Sequence, residues 1–180
     1  MFRLQLLSVV TSAVLYFGCF HLNMVLFDAL ELHSGANWIF LPAGVRLLCT
    51  LLLGVEGAIG LLIASLIISI QTYGDMGLVT NLVSACISAG APYLAYRLAL
   101  INGLPATLEK LSAAKLVLLC LVYAFMAALL HSLWYLLRSV HTDMLTGFTA
   151  MFIGDLLGTL IVLYVMKIIL ATVRRTRGHV

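Results

Sequence analysis

The stretch NWIFLPAGVR, residues Asn37–Arg46, opens a long apolar segment that carries an arginine inside it. A guanidinium keeps its charge, and near the centre of a bilayer it costs a few kcal/mol or more. Arg46 therefore requires an acidic side chain, a set of carbonyl groups or water beside it. The best acidic candidate is Asp155, in the segment GDLLG (Gly154–Gly158) of the last apolar region. We predict that the helices pack so that these two charges meet.

The composition is that of an integral membrane protein. Of the 180 residues, 63% are apolar and 9% are charged, and the mean hydropathy is +1.15. Soluble domains carry about 25% charged residues. No polar stretch is long enough for a soluble domain, so we predict one transmembrane domain, 1–180, with a basic cytoplasmic tail at about 171–180. The long first apolar run lacks a cleavage motif and is predicted to be a retained helix.

The apolar segments predict an all-α integral membrane protein, a bundle of about six transmembrane helices. Their predicted bounds, in chain order, are Leu4–Phe27, Ile39–Leu53, Ala58–Ile70, Val79–Leu100, Ala113–Leu137 and Gly147–Leu170. The second and third are short for the roughly 20 residues that a crossing requires. They either cross the bilayer separately or form one re-entrant hairpin around the break Gly54–Gly57. Pro92 is expected to kink or break the fourth helix.

Basic residues predict the orientation of the bundle. If both termini are cytoplasmic, the inner loops and ends hold most of the Lys and Arg residues: Arg3, Arg97, Lys110, Lys115, Lys167, Arg174, Arg175 and Arg177. The outer loops then hold Arg138. This excess on the inner side predicts a multi-pass protein of the bacterial cytoplasmic (inner) membrane with both termini in the cytoplasm. The lipid bilayer is its predicted surrounding. Nucleic acid is not a predicted partner, because the net charge of +3 forms no basic stripe.

Four ionisable side chains on four predicted helices fall at a similar depth. Arg46, Asp155, His21 and His131 each lie roughly 9 to 12 Å from the predicted outer end of their helix. Ionisable residues inside a membrane are candidates for function, so one interpretation is a pocket, open to the periplasm, for a small anionic ligand. The other interpretation is structural. In it, Arg46 and Asp155 fix the helix packing as an ion pair, and the histidines bind backbone carbonyl groups.

The sequence contains no recognisable catalytic or metal site. The two histidines lie on different predicted helices, and metal sites usually need three or four ligands. No nucleophile motif, phosphate-binding loop or pair of catalytic carboxylates is present. The four cysteines lie singly in four apolar segments and are interpreted as small packing residues. We therefore predict a protein without enzyme activity, metal or cofactor.

Short motifs along most of the chain suggest a family. The segment WIFLPAG (Trp38–Gly44) is followed by a leucine run and Gly57–Gly60, then by Pro92-Tyr93 and the late Gly154–Gly158 segment. From Trp38 to Leu170 the chain resembles the membrane-associated sensor domains found ahead of bacterial histidine kinases and diguanylate cyclases. Members of that family usually have about eight spans and an attached output domain. The resemblance implies a short sensory module whose output passes through a separate partner protein.

Two other functions fit the same architecture. The substrate-binding subunits of energy-coupling-factor vitamin transporters are similar in size, have six helices and bind substrate toward the outside. A small accessory subunit that stabilises a larger membrane complex, and binds no ligand, is the third interpretation. The identity of a co-purified partner separates the three, since it would be a kinase or cyclase, an ATPase with its coupling subunit, or another assembly.

Overall fold

The computed structural model describes residues 2–33, 36–103, 112–139 and 143–177. In these residues the regular secondary structure is helical apart from two very short strands. The long helices are α1 (Phe2–Phe27), α2 (Leu41–Thr72), α3 (Leu78–Ile101), α4 (Ala113–Leu137) and α5 (Met144–Arg177). Strands β1 (Glu31–His33) and β2 (Ala36–Asn37) form an antiparallel pair between α1 and α2. Short 3₁₀ turns at Asp28–Leu30 and Gly74–Met76 precede β1 and α3.

All five helices of the described residues are long and apolar enough to cross a membrane. Many large apolar side chains on their outer faces are exposed, among them Val25, Leu78 and Leu145. The helices bury their small residues instead, including Ala85, Ala91, Ala124 and Ala150. A surface of this kind is suited to lipid, while close helix contact is made by small side chains. The chain is therefore a multi-pass helical membrane protein.

The prediction of six separate helices is not confirmed. Residues 41–53 of the second predicted span and all of the third, 58–70, belong to the single helix α2, which is interrupted only at Gly54. Gly54 has φ 59° and ψ −128°, a backbone conformation that glycine adopts without a Cβ clash. No polar linker separates the two segments, so one glycine is enough to end the first helical run and begin the second.

Helix α2 folds back on itself at Gly54. A Cβ placed on Gly57 would lie 2.5 Å from the Cys49 carbonyl oxygen, whereas eight residues of straight helix span about 12 Å. We call residues 41–53 the first arm of α2 and residues 55–72 the second arm. Arg46 of the first arm and Ser65 of the second line the same cavity, so the two arms run side by side and both of their far ends lie near β1 and β2.

Helix α1 runs along this hairpin for most of its length. Four hydrogen bonds join the two elements, and they follow one another along both from the end near β1 and β2 toward the hairpin tip. They link Asn23 with Leu41 at 2.9 Å, Tyr16 with Arg46 at 3.0 Å, Ser12 with Gly57 at 3.1 Å and Gln5 with Glu56 at 3.1 Å. The 18 residues from Asn23 to Gln5 span about 27 Å of helix. The tip of the hairpin therefore lies nearer to the start of α1 than to its middle.

Helix α2 lies at the centre of the bundle. It contacts α1, α3 and α5, while α4 lies between α3 and α5. We call the end of the bundle that carries β1 and β2 the β end, and the opposite end, where α1 begins and α5 ends, the terminal end. Residues 171–177 of the predicted tail continue α5, and residues 178–180 lie outside the described residues.

Two glycines of α5 allow the segment that leads into α2 to pack directly on the surface of α5. A Cβ on Gly154 would overlap the carbonyl oxygen of Asn37, and a Cβ on Gly158 would overlap that of Phe40. The Phe40 N–H also donates to the Gly154 carbonyl oxygen at 3.1 Å. Backbone therefore packs on backbone at this point, and it places the first arm of α2 beside Asp155.

Pro92 does not break α3. The helix continues from Leu78 to Ile101 with Pro92 inside it and fully buried. Membrane helices tolerate an internal proline because neighbouring helices and side chains satisfy the freed backbone groups.

Candidate functional site

A polar cavity of about 60 Å³ lies inside the bundle, in the half nearer the β end. Side chains from all five helices line it. Arg46, His131, Asp155 and Tyr16 lie roughly 8 to 17 Å along their helices from the β end. A volume of this size holds about four water molecules or a solute of similar size.

The Arg46 guanidinium is held by α1. Its Nε donates to Tyr16 Oη at 3.0 Å, and Nη2 donates to the same oxygen. Its Cζ also lies 5.1 Å from the centroid of the Phe40 ring, within range of a cation–π contact. Tyr16 reaches this position because α1 buries one stripe of side chains at helical spacing: Ser12, Tyr16, Phe20 and Asn23. Arg46 lines the cavity, and no described residue forms a well-aligned hydrogen bond with its Nη1, although the Tyr123 hydroxyl lies close to the guanidinium.

Asp155 lies across the same cavity on α5. Its side chain is buried, with 7% of the residue exposed, and it lines the cavity. Thr159 donates to the Asp155 backbone carbonyl at 2.6 Å, and no described residue donates to the carboxylate. Asp155 is close enough to interact electrostatically with Arg46, but no hydrogen bond joins the two side chains. The two predicted partners therefore share one cavity, and the direct partner of Arg46 is Tyr16.

Tyr123 of α4 lies near both charges. It is fully buried, it interacts electrostatically with Arg46 and Asp155, and its hydroxyl lies close to Arg46 without forming a well-aligned hydrogen bond to any described residue. A buried hydroxyl without a partner costs free energy. Tyr123 thus adds an unsatisfied polar group beside Arg46 and Asp155.

The structure brings one of the two predicted histidines to the cavity. His131 of α4 lines it, and its Nδ1 lies 3.0 Å from the Ala127 carbonyl oxygen. His21 lies apart on the exposed side of α1, where its ring contacts Phe17 with centroids 4.4 Å apart. The reason is the helical period: the residue before it, Phe20, is on the buried stripe of α1, and the next position points about 100° away.

Small polar side chains complete the wall. They occur at spacings of three or four residues on the second arm of α2 and on α3: Ser65, Ser69, Asn81, Ser84 and Ser88. Ser65 Oγ has no hydrogen-bond partner among the described residues. Ser84 Oγ donates to Tyr135 Oη at 3.5 Å. The wall therefore offers hydroxyl and amide groups to a polar solute.

Tyr73 closes the second arm of α2 at the β end. It lines the cavity, and its hydroxyl donates to Glu31 Oε1 of β1 at 3.3 Å. Burial raises the pKa of the Tyr73 hydroxyl above its usual value, and the Glu31 carboxylate raises it further. The hydroxyl therefore stays protonated and connects α2 to the β pair.

Sequence reasoning missed Tyr16 and the serine wall. Tyrosine and serine are uncharged, and each is unremarkable alone in a membrane helix. Their joint signal is periodic, because Ser65 and Ser69, and likewise Ser84 and Ser88, repeat at the spacing that places side chains on one face of a helix. The face to which each stripe turns depends on packing, which the sequence alone does not give.

The donor set at the cavity does not resemble a metal site. In the part of the chain that the structure describes, no three side chains of His, Cys, Asp or Glu lie close enough to share a metal ion. Comparison with protein families, with curated proteins and with solved structures finds no match to this chain. The resemblance to bacterial membrane-associated sensor domains therefore stays a prediction from short motifs.

Proposed function

We propose that this protein is a membrane sensory module that binds a small polar ligand in the cavity between Arg46 and Asp155. One observation carries the proposal: two buried side chains of opposite charge line one cavity, and neither neutralises the other by a hydrogen bond. A structural ion pair would bring the carboxylate onto the guanidinium, because a buried charge is costly unless it is paired directly. The arrangement instead leaves Nη1 of Arg46 and the Asp155 carboxylate available to a third group.

The contacts around the cavity offer a route by which binding could be transmitted. Asp155 is on α5, between Gly154 and Gly158, where the chain enters α2. A ligand that moves the Arg46 side chain toward itself or toward Asp155 would alter the backbone packing between the start of α2 and α5. Helix α5 has 34 residues, about 51 Å, and so is longer than the roughly 30 Å hydrocarbon core. A partner protein at the terminal end would sense the movement through α5.

We also propose that the first and second arms of α2 each cross the bilayer, which gives six crossings and places both termini in the cytoplasm of a bacterial inner membrane. The hydrogen bond between Gln5 and Glu56 supports this, since it places the hairpin tip nearer to the start of α1 than to its middle. A re-entrant hairpin would end nearer the middle of α1. The basic residues Arg97 and Lys115 at the terminal end support the orientation.

A melting-temperature screen tests the proposed function. The purified full-length protein is heated with a broad panel of small carboxylates, amines, amino acids and polyols. A ligand that binds only the folded protein raises the melting temperature, by an amount that grows with its concentration. We expect at least one compound to stabilise the wild type and the control His21→Ala, and to stabilise His131→Ala less.

The absence of any stabilising compound for the wild type would contradict ligand binding and favour an accessory subunit. If a compound does stabilise the wild type, the identity of a co-purified partner distinguishes the sensory module from a transporter subunit. A co-purified kinase or cyclase would support the assignment as a sensory module. A co-purified ATPase with its coupling subunit would instead support the assignment as a transporter subunit.

A further inference from the structure

We propose that the ligand is a small zwitterion, whose anionic group binds Arg46 and whose cationic group binds Asp155. This inference rests on the proposed function and narrows it to one class of ligand. It follows from the charges that line the cavity, from the donors left open there and from the size of the space.

The charges of the two facing side chains balance. Arg46 supplies one buried positive charge, and Asp155 supplies one buried negative charge when its carboxyl group is ionised; each residue is 7% exposed. A monoanion at Arg46 would lie near the Asp155 carboxylate and be repelled by it, and a monocation at Asp155 would likewise be repelled by Arg46. An uncharged solute would leave both charges without a direct partner. A ligand that carries both charges satisfies both side chains at once.

The hydrogen bonds around the cavity leave one donor position on Arg46 and one acceptor position on Asp155 for a ligand. Tyr16 occupies Nε and Nη2 of Arg46, and no described residue forms a well-aligned hydrogen bond with Nη1, although the Tyr123 hydroxyl lies close to the guanidinium. No described residue donates to the Asp155 carboxylate. A carboxylate on Nη1 and an ammonium group on Asp155 would form two charge-assisted hydrogen bonds, which are the strong class of such bonds.

The volume restricts the ligand to a few heavy atoms. A cavity of about 60 Å³ holds about four water molecules, a space comparable to that of the smallest amino acids. Ser65 Oγ, buried and without a hydrogen-bond partner among the described residues, adds a further polar contact for such a solute.

Three matched series of probes test the charge requirement. The zwitterions are glycine, 3-aminopropanoate and 4-aminobutanoate. The matched anions are acetate, propanoate and butanoate, and the matched cations are methylamine, ethylamine and propylamine. Calorimetry on the full-length protein gives the dissociation constant of each. We expect one zwitterion to bind about ten-fold or more tighter than its matched anion or cation, because each half lacks one charged hydrogen bond. The chain length that binds best reports the separation of Arg46 and Asp155.

The variant Asp155→Asn should reverse the preference. It removes the negative charge, so the best zwitterion should lose about ten-fold or more in affinity, while its matched anion should bind as well as before or better. The control Asp75→Asn removes an exposed carboxylate outside the cavity and should leave every affinity unchanged. If Asp155→Asn does not fold, the comparison of zwitterion and anion on the wild type decides alone.

Each remaining outcome overturns the inference. A matched anion that binds the wild type as tightly as its zwitterion would show that Asp155 does not contact the ligand, while the cavity would still be a binding site. If none of the nine probes binds, the zwitterion is excluded, and the broader melting-temperature panel decides separately whether the proposed function also fails.

Discussion

Arg46 is the residue whose surroundings decide how the cavity is interpreted. The sequence identified it correctly as a buried charge, because a guanidinium in an apolar segment requires partners. It also selected Asp155, which lines the same cavity. It did not identify Tyr16, since a neutral tyrosine in α1 gives no sign that its hydroxyl accepts two hydrogen bonds from Arg46. Charged residues are conspicuous in a membrane sequence, and their neutral partners are not.

Replacing Tyr16 with phenylalanine tests this contact. Tyr16→Phe removes the oxygen that accepts from both Nε and Nη2 of Arg46 and leaves the buried charge less well satisfied. We expect the free energy of unfolding to fall by about 1.5 to 3 kcal/mol, the usual range for hydrogen bonds to charged groups. Denaturant unfolding of the purified protein measures it. Tyr164→Phe, on the exposed face of α5, is the matched control and should change the stability little. Equal stability of the two variants would exclude Tyr16 as the main partner of Arg46.

The hairpin in α2 is the element that builds the cavity. Its two arms bring Arg46 and the Ser65–Ser69 stripe to opposite sides of one space. The sequence predicted a break at Gly54–Gly57, and Gly54 does interrupt the helix, while the predicted count of six separate helices is not confirmed. Hydropathy alone does not distinguish two short spans from one folded helix, because both present the same apolar residues. The distinction depends on how far α1 follows the hairpin, which is a tertiary property.

Thiol labelling tests whether the tip of the hairpin reaches the far side of the membrane. Single cysteines at position 55 (Val55→Cys) and position 75 (Asp75→Cys) are introduced into a variant whose four cysteines are replaced by alanine. We expect a membrane-impermeant maleimide to label position 75 in intact cells and position 55 only in inverted vesicles. This follows because Glu56, next to Val55, contacts Gln5 at the terminal end. If position 55 is labelled from neither side, the tip ends inside the bilayer and the hairpin is re-entrant.

At the scale of the whole molecule, the five apolar helices of the described residues surround a polar space in one half of the bundle. Composition was sufficient to predict the membrane class, since 63% apolar residues with only 9% charged residues leave long apolar runs of the length that crosses a bilayer. The common depth of Arg46, His131 and Asp155 was also visible in the sequence, because depth follows from the number of residues to a helix end. The sequence does not show which face of each helix points toward the centre of the bundle. His21 was therefore predicted to lie in the polar layer, whereas in the structure it lies on the exposed side of α1.

The reactivity of a single cysteine introduced at position 84 tests most directly whether the cavity admits water and small solutes. The variant Ser84→Cys, in a protein whose four native cysteines are replaced by alanine, is compared with a protein that keeps only the native Cys86, two residues further along α3. Ser84 lines the cavity, whereas Cys86 is exposed on the surface of the helix bundle that faces lipid. Thiols react as thiolates, which require water. We predict that a small charged methanethiosulfonate reagent added to intact cells modifies the thiol introduced at position 84 and leaves Cys86 unmodified. If position 84 is as unreactive as Cys86 in both intact cells and inverted vesicles, the layer around Arg46 is closed and structural, and the ligand site does not exist.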